Sequence, residues 1–320
     1  MTDWRPATAR EALAARASLL NHIRCFFAER DILEVETPCL ASHGVTDVHI
    51  QCIEVPGYGF LQSSPEYHMK RLLAAGSGAI WQISRVFRHG EAGRRHNPEF
   101  SLLEWYRPEF SLDQLIEECV ALLSPLLKPV SVTRYHFRDV FHQHTGLDPL
   151  TASANELTQR AQQNGAPDGL DKPALVDWLM ATVVEPALAK DQLVIIDDFP
   201  GWAAALARKH QDHDGEWVAQ RFEIYFGGYE LANGYHELTD ATEQAARFQQ
   251  DRQLRLQHGL RDMEADPHLL AALEHGLPDC SGVAIGLDRV LMAQLGVGDI
   301  RELLAFPVEP ATVHMHSIND

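Results

Sequence analysis

Cysteine gives this chain no framework. Its five cysteines, Cys25, Cys39, Cys52, Cys119 and Cys280, are odd in number, scattered, and include no C-x-x-C pair. Neither a disulfide scaffold nor a cysteine-based zinc site follows. No apolar run approaches the roughly 18 residues of a membrane span, and the N-terminus lacks a signal-peptide hydrophobic stretch, so a reducing cytoplasm is expected. Positive charge is also scarce: 27 Lys+Arg against 45 Asp+Glu give a net charge of −18. That balance argues against a protein that grips nucleic acid by its phosphates. The familiar nucleotide loops are missing too. Neither G-x-x-x-x-G-K-S/T nor G-x-G-x-x-G occurs, which excludes a P-loop and a standard dinucleotide fingerprint.

What is present is a chain of 320 residues, 45% hydrophobic, with ample material for a core. Residues 9–30 read as an amphipathic helix with Leu13, Ala17, Leu20, Ile23 and Phe27 on its apolar face. Leu33, Val35 and Thr37 alternate as on a strand, which Pro38 ends. A hairpin is expected over 48–63, turning at Pro56-Gly57-Tyr58-Gly59. Ser64 and Pro65 read as the cap and first position of a helix that continues to about Ala75. A second helix is expected over 111–127, a mostly helical insertion over 135–190 with no obvious chemistry, and a buried strand at 193–200. Paired strands among unordered helices favour an α+β fold with an antiparallel sheet, in one domain spanning 1–320.

The most informative stretch runs from Ile80 to Arg107. It reads as two antiparallel strands joined by a charged loop, with Arg88 at the rim. An arginine fixed at a strand end suits a bidentate grip on phosphate. Glu104 and Tyr106, two apart, point to one face of their strand and together suit an ammonium group. Further on, two turn signals compete, Gly227-Gly228 and Asn233-Gly234. A turn at Asn233-Gly234 sets Glu230 opposite Glu237, a pairing that makes sense around a divalent cation. A bulge there instead leaves both carboxylates on one face but farther apart. Arg289 follows Gly286 where the last strand passes into a helix, within reach of a phosphate. The histidines, among them His136, His142, His144, His210, His213, His314 and His316, read as surface or core filling.

Taken together, these segments resemble the class II aminoacyl-tRNA synthetases, most closely the lysyl type. Glu34 to Pro38 is similar to the family's first motif, Arg88 to Phe100 to the second, and Gly282 to Arg289 to the third. Ser64-Pro65-Glu66, Glu104-Trp105-Tyr106 and Glu230 to Glu237 add lysyl-type signatures. The catalytic motifs begin at residue 32, where a lysyl-tRNA synthetase would first carry an anticodon-reading barrel. The chain therefore resembles the truncated lysyl-type paralogues that act on translation elongation factor P. The resemblance implies a cytoplasmic homodimer using ATP and Mg²⁺. It would activate (R)-β-lysine as the adenylate and transfer it to a lysine ε-amine of elongation factor P, with tRNA an unlikely acceptor. Another adenylate-forming lysine ligase, or a residual tRNA-charging enzyme, is the alternative.

The resemblance also implies roles. Arg88 and Arg289 are the catalytic grips on the α- and γ-phosphates. His89, Gly90, His96, Asn97, Phe100, Glu230, Leu231 and Gly286 complete the ATP site, with Phe100 stacking on adenine. Ser64, Pro65, Glu66, Glu104, Tyr106 and Glu237 bind the amino acid, and Glu230 and Glu237 bind Mg²⁺. Two departures stand out. Gly90 occupies the position of the second motif's usual glutamate, with Glu91 next, and Ala284 stands where lysyl synthetases have glycine. The added methyl would disfavour α-lysine against the β isomer.

Overall fold

In a computed structural model, residues 4–308 are described; His314 and His316 fall outside them. Helix α1 (Arg10–Ala28) leads into strand β1 (Leu33–Glu34), which is only two residues long and not the longer strand expected. The helix buries Ala12, Leu19, Ile23, Phe26 and Phe27, while Leu13 stays exposed. The true apolar stripe is thus rotated from the one expected. Strands β2 (Leu40–Ala41), β3 (Glu54–Val55) and β4 (Gly59–Leu61) form a small separate sheet, with the β3–β4 turn where Pro56 to Gly59 signalled it. Helix α2 (Glu66–Ala74) starts one residue later than expected, and the Ser64 hydroxyl accepts the Glu66 N–H at 3.0 Å.

The hairpin of β5 (Ile80–Phe87) and β6 (Glu99–Pro108) is present with the charged loop between its strands. Helix α3 (Leu112–Leu127) begins with a capping box made by Ser111 and Gln114. The chain continues through β7 (Val132–His136), α4 (Phe137–Thr145), α5 (Ala154–Gln162), α6 (Lys172–Leu179), a π-helical turn (Met180–Val184) and the short α7 (Glu185–Ala187). Then come β8 (Leu193–Pro200), β9 (Lys209–Gln211), β10 (Trp217–Phe226), β11 (Tyr229–His236), α8 (Ala241–Gln257), α9 (Pro267–Gly276), β12 (Cys280–Gly286) and α10 (Leu287–Leu295).

The main sheet has the order β1-β5-β6-β12-β11-β10-β8-β7, with β9 added beside β10. Its middle is antiparallel as expected, but both margins are parallel, β1 on β5 and β7 on β8. Helices α1, α3 and α10 cover one face, burying Phe27, Trp81, Trp105, Phe222 and Val283. Phe27 stacks on Trp81 with ring centroids 4.7 Å apart. On the other face, α2, α8 and α9 pack near Ile80, Tyr106 and Cys280, and α4 to α6 pack near Val194, Ile196 and Tyr225. A polar strip of sheet lies between these two helical groups.

Gly227-Gly228 makes the β10–β11 turn, both at positive φ, and Asn233-Gly234 lies mid-strand. Gly234 is required there for a different reason: a Cβ would lie 2.4 Å from Cε1 of Phe222 and 3.1 Å from Cβ of Val283. Replacing Gly234 by Ala should therefore cost about 1–3 kcal/mol through overpacking, read as a lowered midpoint in urea or heat. A wild-type midpoint would show that the Phe222 ring moves aside freely.

Candidate active site

Residues opposite one another in a ladder share a face, so the register identifies what lines the strip. One row crosses five strands as Gln82, Glu104, Ala284, Asn233 and Glu223. The next carries Tyr106, Gly282, Tyr235 and Arg221. Glu237 extends β11 one row further, its N–H bonded to the Cys280 carbonyl at 3.0 Å. Such a concentration of polar side chains on an interior sheet face is a functional signature.

At the α2 end of the cleft three carboxylates gather. Glu104, 2% exposed, accepts the Tyr106 hydroxyl at 2.6 Å and the Ser64 hydroxyl at 2.9 Å. Burial pushes its pKa up to about 8; Glu66 adds to the rise, while the two hydroxyls and Lys70 oppose it. Glu66 and Glu237 share the ammonium of Lys70, at 2.7 and 2.6 Å. Burial opposes the charge on Lys70, but Glu237 and Glu66 more than offset it, so Lys70 remains an ammonium. A Cβ on Gly282 would fall 2.3 Å from Tyr106 Cε1 and 2.7 Å from Glu237 Oε1, so only glycine leaves this pocket its shape. Pro65 closes the turn before α2. The Ala284 methyl stands directly beside Glu104 in the adjacent strand.

At the other end stand the two arginines. The Arg88 guanidinium lies 5.1 Å from the Phe100 ring centre and 3.5 Å from the Glu91 carboxylate. Its Nε is buried and has no acceptor among the described residues, a donor suited to an incoming anion. Arg289, in the first turn of α10, donates to the Glu230 carbonyl at 3.0 Å and carboxylate at 3.1 Å, and contacts His96 Nε2 at 2.7 Å. Burial, then Arg289, lowers the pKa of His96, which keeps the ring neutral and able to accept. Asp288 is not the partner of Arg289; it pairs with Arg16 and accepts the Ser101 N–H, fixing α10 against β6. A Cβ on Gly286 would meet nothing closer than Arg289 Cδ at 4.0 Å, so the backbone there faces open space.

The remaining expected ATP-site residues divide. His89 and Gly90 are exposed at the loop rim, Gly90 with φ +82°. Asn97 is already engaged: its amide donates to the Glu99 carbonyl at 2.6 Å and its oxygen accepts the Val308 N–H at 3.1 Å. It therefore anchors chain instead of offering a free amide to a base. Leu231 is buried and sits in a bulge, since Ile224 pairs with Ala232 and Tyr225 with Glu230.

That bulge decides the carboxylate geometry. It brings Glu230 onto the same face as Glu223 and Glu237, as a bulge reading expects, although it falls at Leu231 and not at Asn233-Gly234. Glu230 and Glu237 are nevertheless seven residues apart on one strand, about 20 Å at the usual rise per residue, and Glu237 is held by Lys70. The acid beside Glu230 is Glu223, on the neighbouring strand. Burial raises Glu223 to about 7, with Arg221 opposing and Glu230 adding to the rise. Sequence reading missed Glu223. The available signal was Gly227-Gly228: a turn there sets the Glu223 and Glu230 strands side by side. The two acids stand on one face beside the arginines, but both Glu223 oxygens are engaged, one by the Arg221 guanidinium and one by the Tyr225 hydroxyl, and Glu230 is paired with Arg289, so a divalent cation there would compete with these partners.

The helical insertion also contributes. Burial, and then the charge of Glu230, raise the pKa of Glu185 in α7, with Arg289 and Arg95 opposing. The group formed by His136, Asp197 and Asp198 is an ion-pair network, with His136 and Arg134 both on Asp197.

The family model of class II tRNA synthetases (D, K and N) matches residues 1–310. The chain is 47% identical to an elongation factor P–(R)-β-lysine ligase of Pasteurella multocida, over 97% of this chain and 98% of that protein. It is 47% identical to the ligase of that name from Mannheimia succiniciproducens, over 96% and 98%. For the one from Haemophilus influenzae strain PittGG the identity is 45%, over 97% and 99%.

With its pKa raised, Glu104 is protonated in the free protein below about pH 8 and must ionise to receive an ammonium group. Affinity for a diammonium ligand should therefore increase from pH 6 to pH 8, by up to about tenfold per unit, in calorimetric titrations. A flat affinity over that range would mean that the carboxyl is already ionised.

Proposed function

The chain belongs to the class II tRNA synthetase family (D, K and N), and from that premise we propose that it is an ATP-dependent, AMP-forming ligase that attaches (R)-β-lysine to a lysine of elongation factor P. The observation that carries the reading is the two-ended cleft: buried acids for ammonium groups at one end, two arginines for phosphates at the other.

In the first half-reaction the β-lysine carboxylate oxygen attacks the α-phosphorus of ATP; a new P–O bond forms and pyrophosphate departs with the electrons of the broken one. In the second, the acceptor ε-amine attacks the acyl carbon, an amide C–N bond forms, AMP leaves and the amine sheds a proton. No side-chain nucleophile is needed. Arg88, with its unpaired buried Nε, holds the α-phosphate. Arg289, oriented by His96 and Glu230, holds the γ-phosphate. Phe100, already under the Arg88 guanidinium, offers its ring to adenine. Glu104 and Tyr106 take the terminal ammonium, and Glu66 the ammonium nearer the carboxyl. Glu230, with Glu223 on the neighbouring strand, would hold Mg²⁺, which would supply neutralisation of charge on the triphosphate. Exposed Leu33 on the marginal strand β1 and exposed Leu40 in the small sheet, on either side of Pro38 in the chain, support a homodimer. No described helix is long and apolar enough to cross a membrane, and an acceptor of this kind implies a cytoplasmic reaction.

The direct test is intact-mass analysis of elongation factor P after incubation with enzyme, ATP and (R)-β-lysine, with tRNA as the competing acceptor. A mass increase of one β-lysyl group on the factor is expected, and label on tRNA alone would overturn the reading. Arg289→Ala should lower ATP–pyrophosphate exchange by about 10²–10³ with folding retained. Glu223→Gln should raise the magnesium concentration needed for half-maximal exchange, whereas an unchanged requirement would remove Glu223 from the metal site. Ala284→Gly should shift adenylation from β-lysine toward α-lysine; an unchanged preference would show that the methyl does not set it.

A further inference from the structure

Lys70 has no part in the reaction above, yet it is one of the most deeply buried charges in the protein, its side chain 2% exposed. It lies one helical turn after Glu66 on α2, so the two side chains share a helix face. From there it spans to β11, touching Glu66 Oε1 at 2.7 Å and Glu237 Oε2 at 2.6 Å. Glu104, by contrast, has hydroxyl partners but no cation within bonding distance among the described residues. Three carboxyl groups therefore face one pocket with one resident cation among the described residues, so that once Glu104 ionises two negative charges are left for whatever binds to balance.

We propose that Lys70 is a positioning and specificity-determining residue of the amino-acid pocket, holding Glu66 and Glu237 in place and setting the pocket's charge to match a substrate with two ammonium groups. This rests on the β-lysine reading given above. Lys70 acts through the acids and not on the substrate. Without it, Glu66 and Glu237 would repel across the space its ammonium fills, and one would turn away or take up a proton. The acid intended for the substrate's inner ammonium would then be misplaced or neutral. The arginine end, built on β5, β6 and α10, would be untouched. The prediction is therefore a defect in amino-acid binding alone, distinct from a general loss of stability.

The test uses the full chain with Lys70→Met and Lys70→Arg. Three quantities are measured: β-lysine-dependent ATP–pyrophosphate exchange, affinity for Mg-ATP by calorimetry, and thermal midpoint. Lys70→Met should raise the KM for β-lysine about tenfold or more, with kcat and ATP affinity within about threefold. Lys70→Arg, which keeps the charge, should recover most of that KM. If the Met variant does not fold, Lys70→Gln takes its place, with the same rise in KM expected. A folded Met or Gln variant with a lowered midpoint but wild-type KM would overturn the proposal and leave Lys70 a purely structural cation. Absence of any β-lysine-dependent exchange by the wild-type enzyme would instead bring down the substrate reading itself, so the two failures are separable.

Discussion

Glu104 lies 2% exposed between two hydroxyls, with its ordinary charge suppressed until a cation arrives. Burying a carboxyl in this way is unfavourable, and a structure retains such a group only where its surroundings compensate. Here the compensation is shared. Tyr106 and Ser64 satisfy the oxygens, Lys70 holds the neighbouring acids, and Gly282 keeps bulk out of the space between Tyr106 and Glu237. The apolar face of the same sheet, closed by Phe27, Trp81 and Trp105, fixes the strands on which these groups stand. The pocket's specificity thus depends on a rigid floor whose other side is ordinary hydrophobic core.

The arginine end of the cleft is organised by a different balance. Its arginines must be held ready without being captured by the many nearby acids. Arg289 is held by one carbonyl, one carboxylate and a neutral histidine, a set that orients the guanidinium. Arg88 rests against an aromatic ring, with one nitrogen left unpaired. Arg95 ties the loop to the β10–β11 turn through the Gly228 carbonyl at 3.2 Å. The loop that carries Arg88 and His96 is therefore fastened to the hairpin that carries Glu223 and Glu230, so the charges of both signs keep a common frame.

Much of this was readable from local pattern. The β5–β6 hairpin, the Ser111 cap and the shared face of Glu104 and Tyr106 follow from alternation and capping chemistry, which act within a few residues. What was not readable depended on partners distant in sequence. The outer stripe of α1 was misjudged because Leu13 is apolar but finds no core to face. Asn233-Gly234 carries a strong turn signal, yet Phe222 and Val283 enclose the glycine from neighbouring strands. That Glu223 stands beside Glu230 depends on which of the two turn signals is used, and Lys70 gave no local sign that it would reach across to Glu237. The insertion looked chemically empty because nothing in its own sequence says that the charges of Glu230 and Arg289 act on Glu185.

The single extra residue at Leu231 has a consequence for how this protein can change over time. Upstream of it, Glu230 faces the cleft on one parity; downstream, Asn233, Tyr235 and Glu237 face it on the other. Adding or losing one residue between Glu230 and Glu237 would send one set of side chains into the tryptophan-lined interior. A change of length at the Gly227-Gly228 turn would leave the parity of both strands intact, although it would disturb the Arg95 and Lys190 contacts there. A change in length is therefore less disruptive at the hairpin tip than a few positions later, so an otherwise ordinary strand acts as a fixed ruler between Glu230 and the Glu66–Lys70–Glu237 cluster.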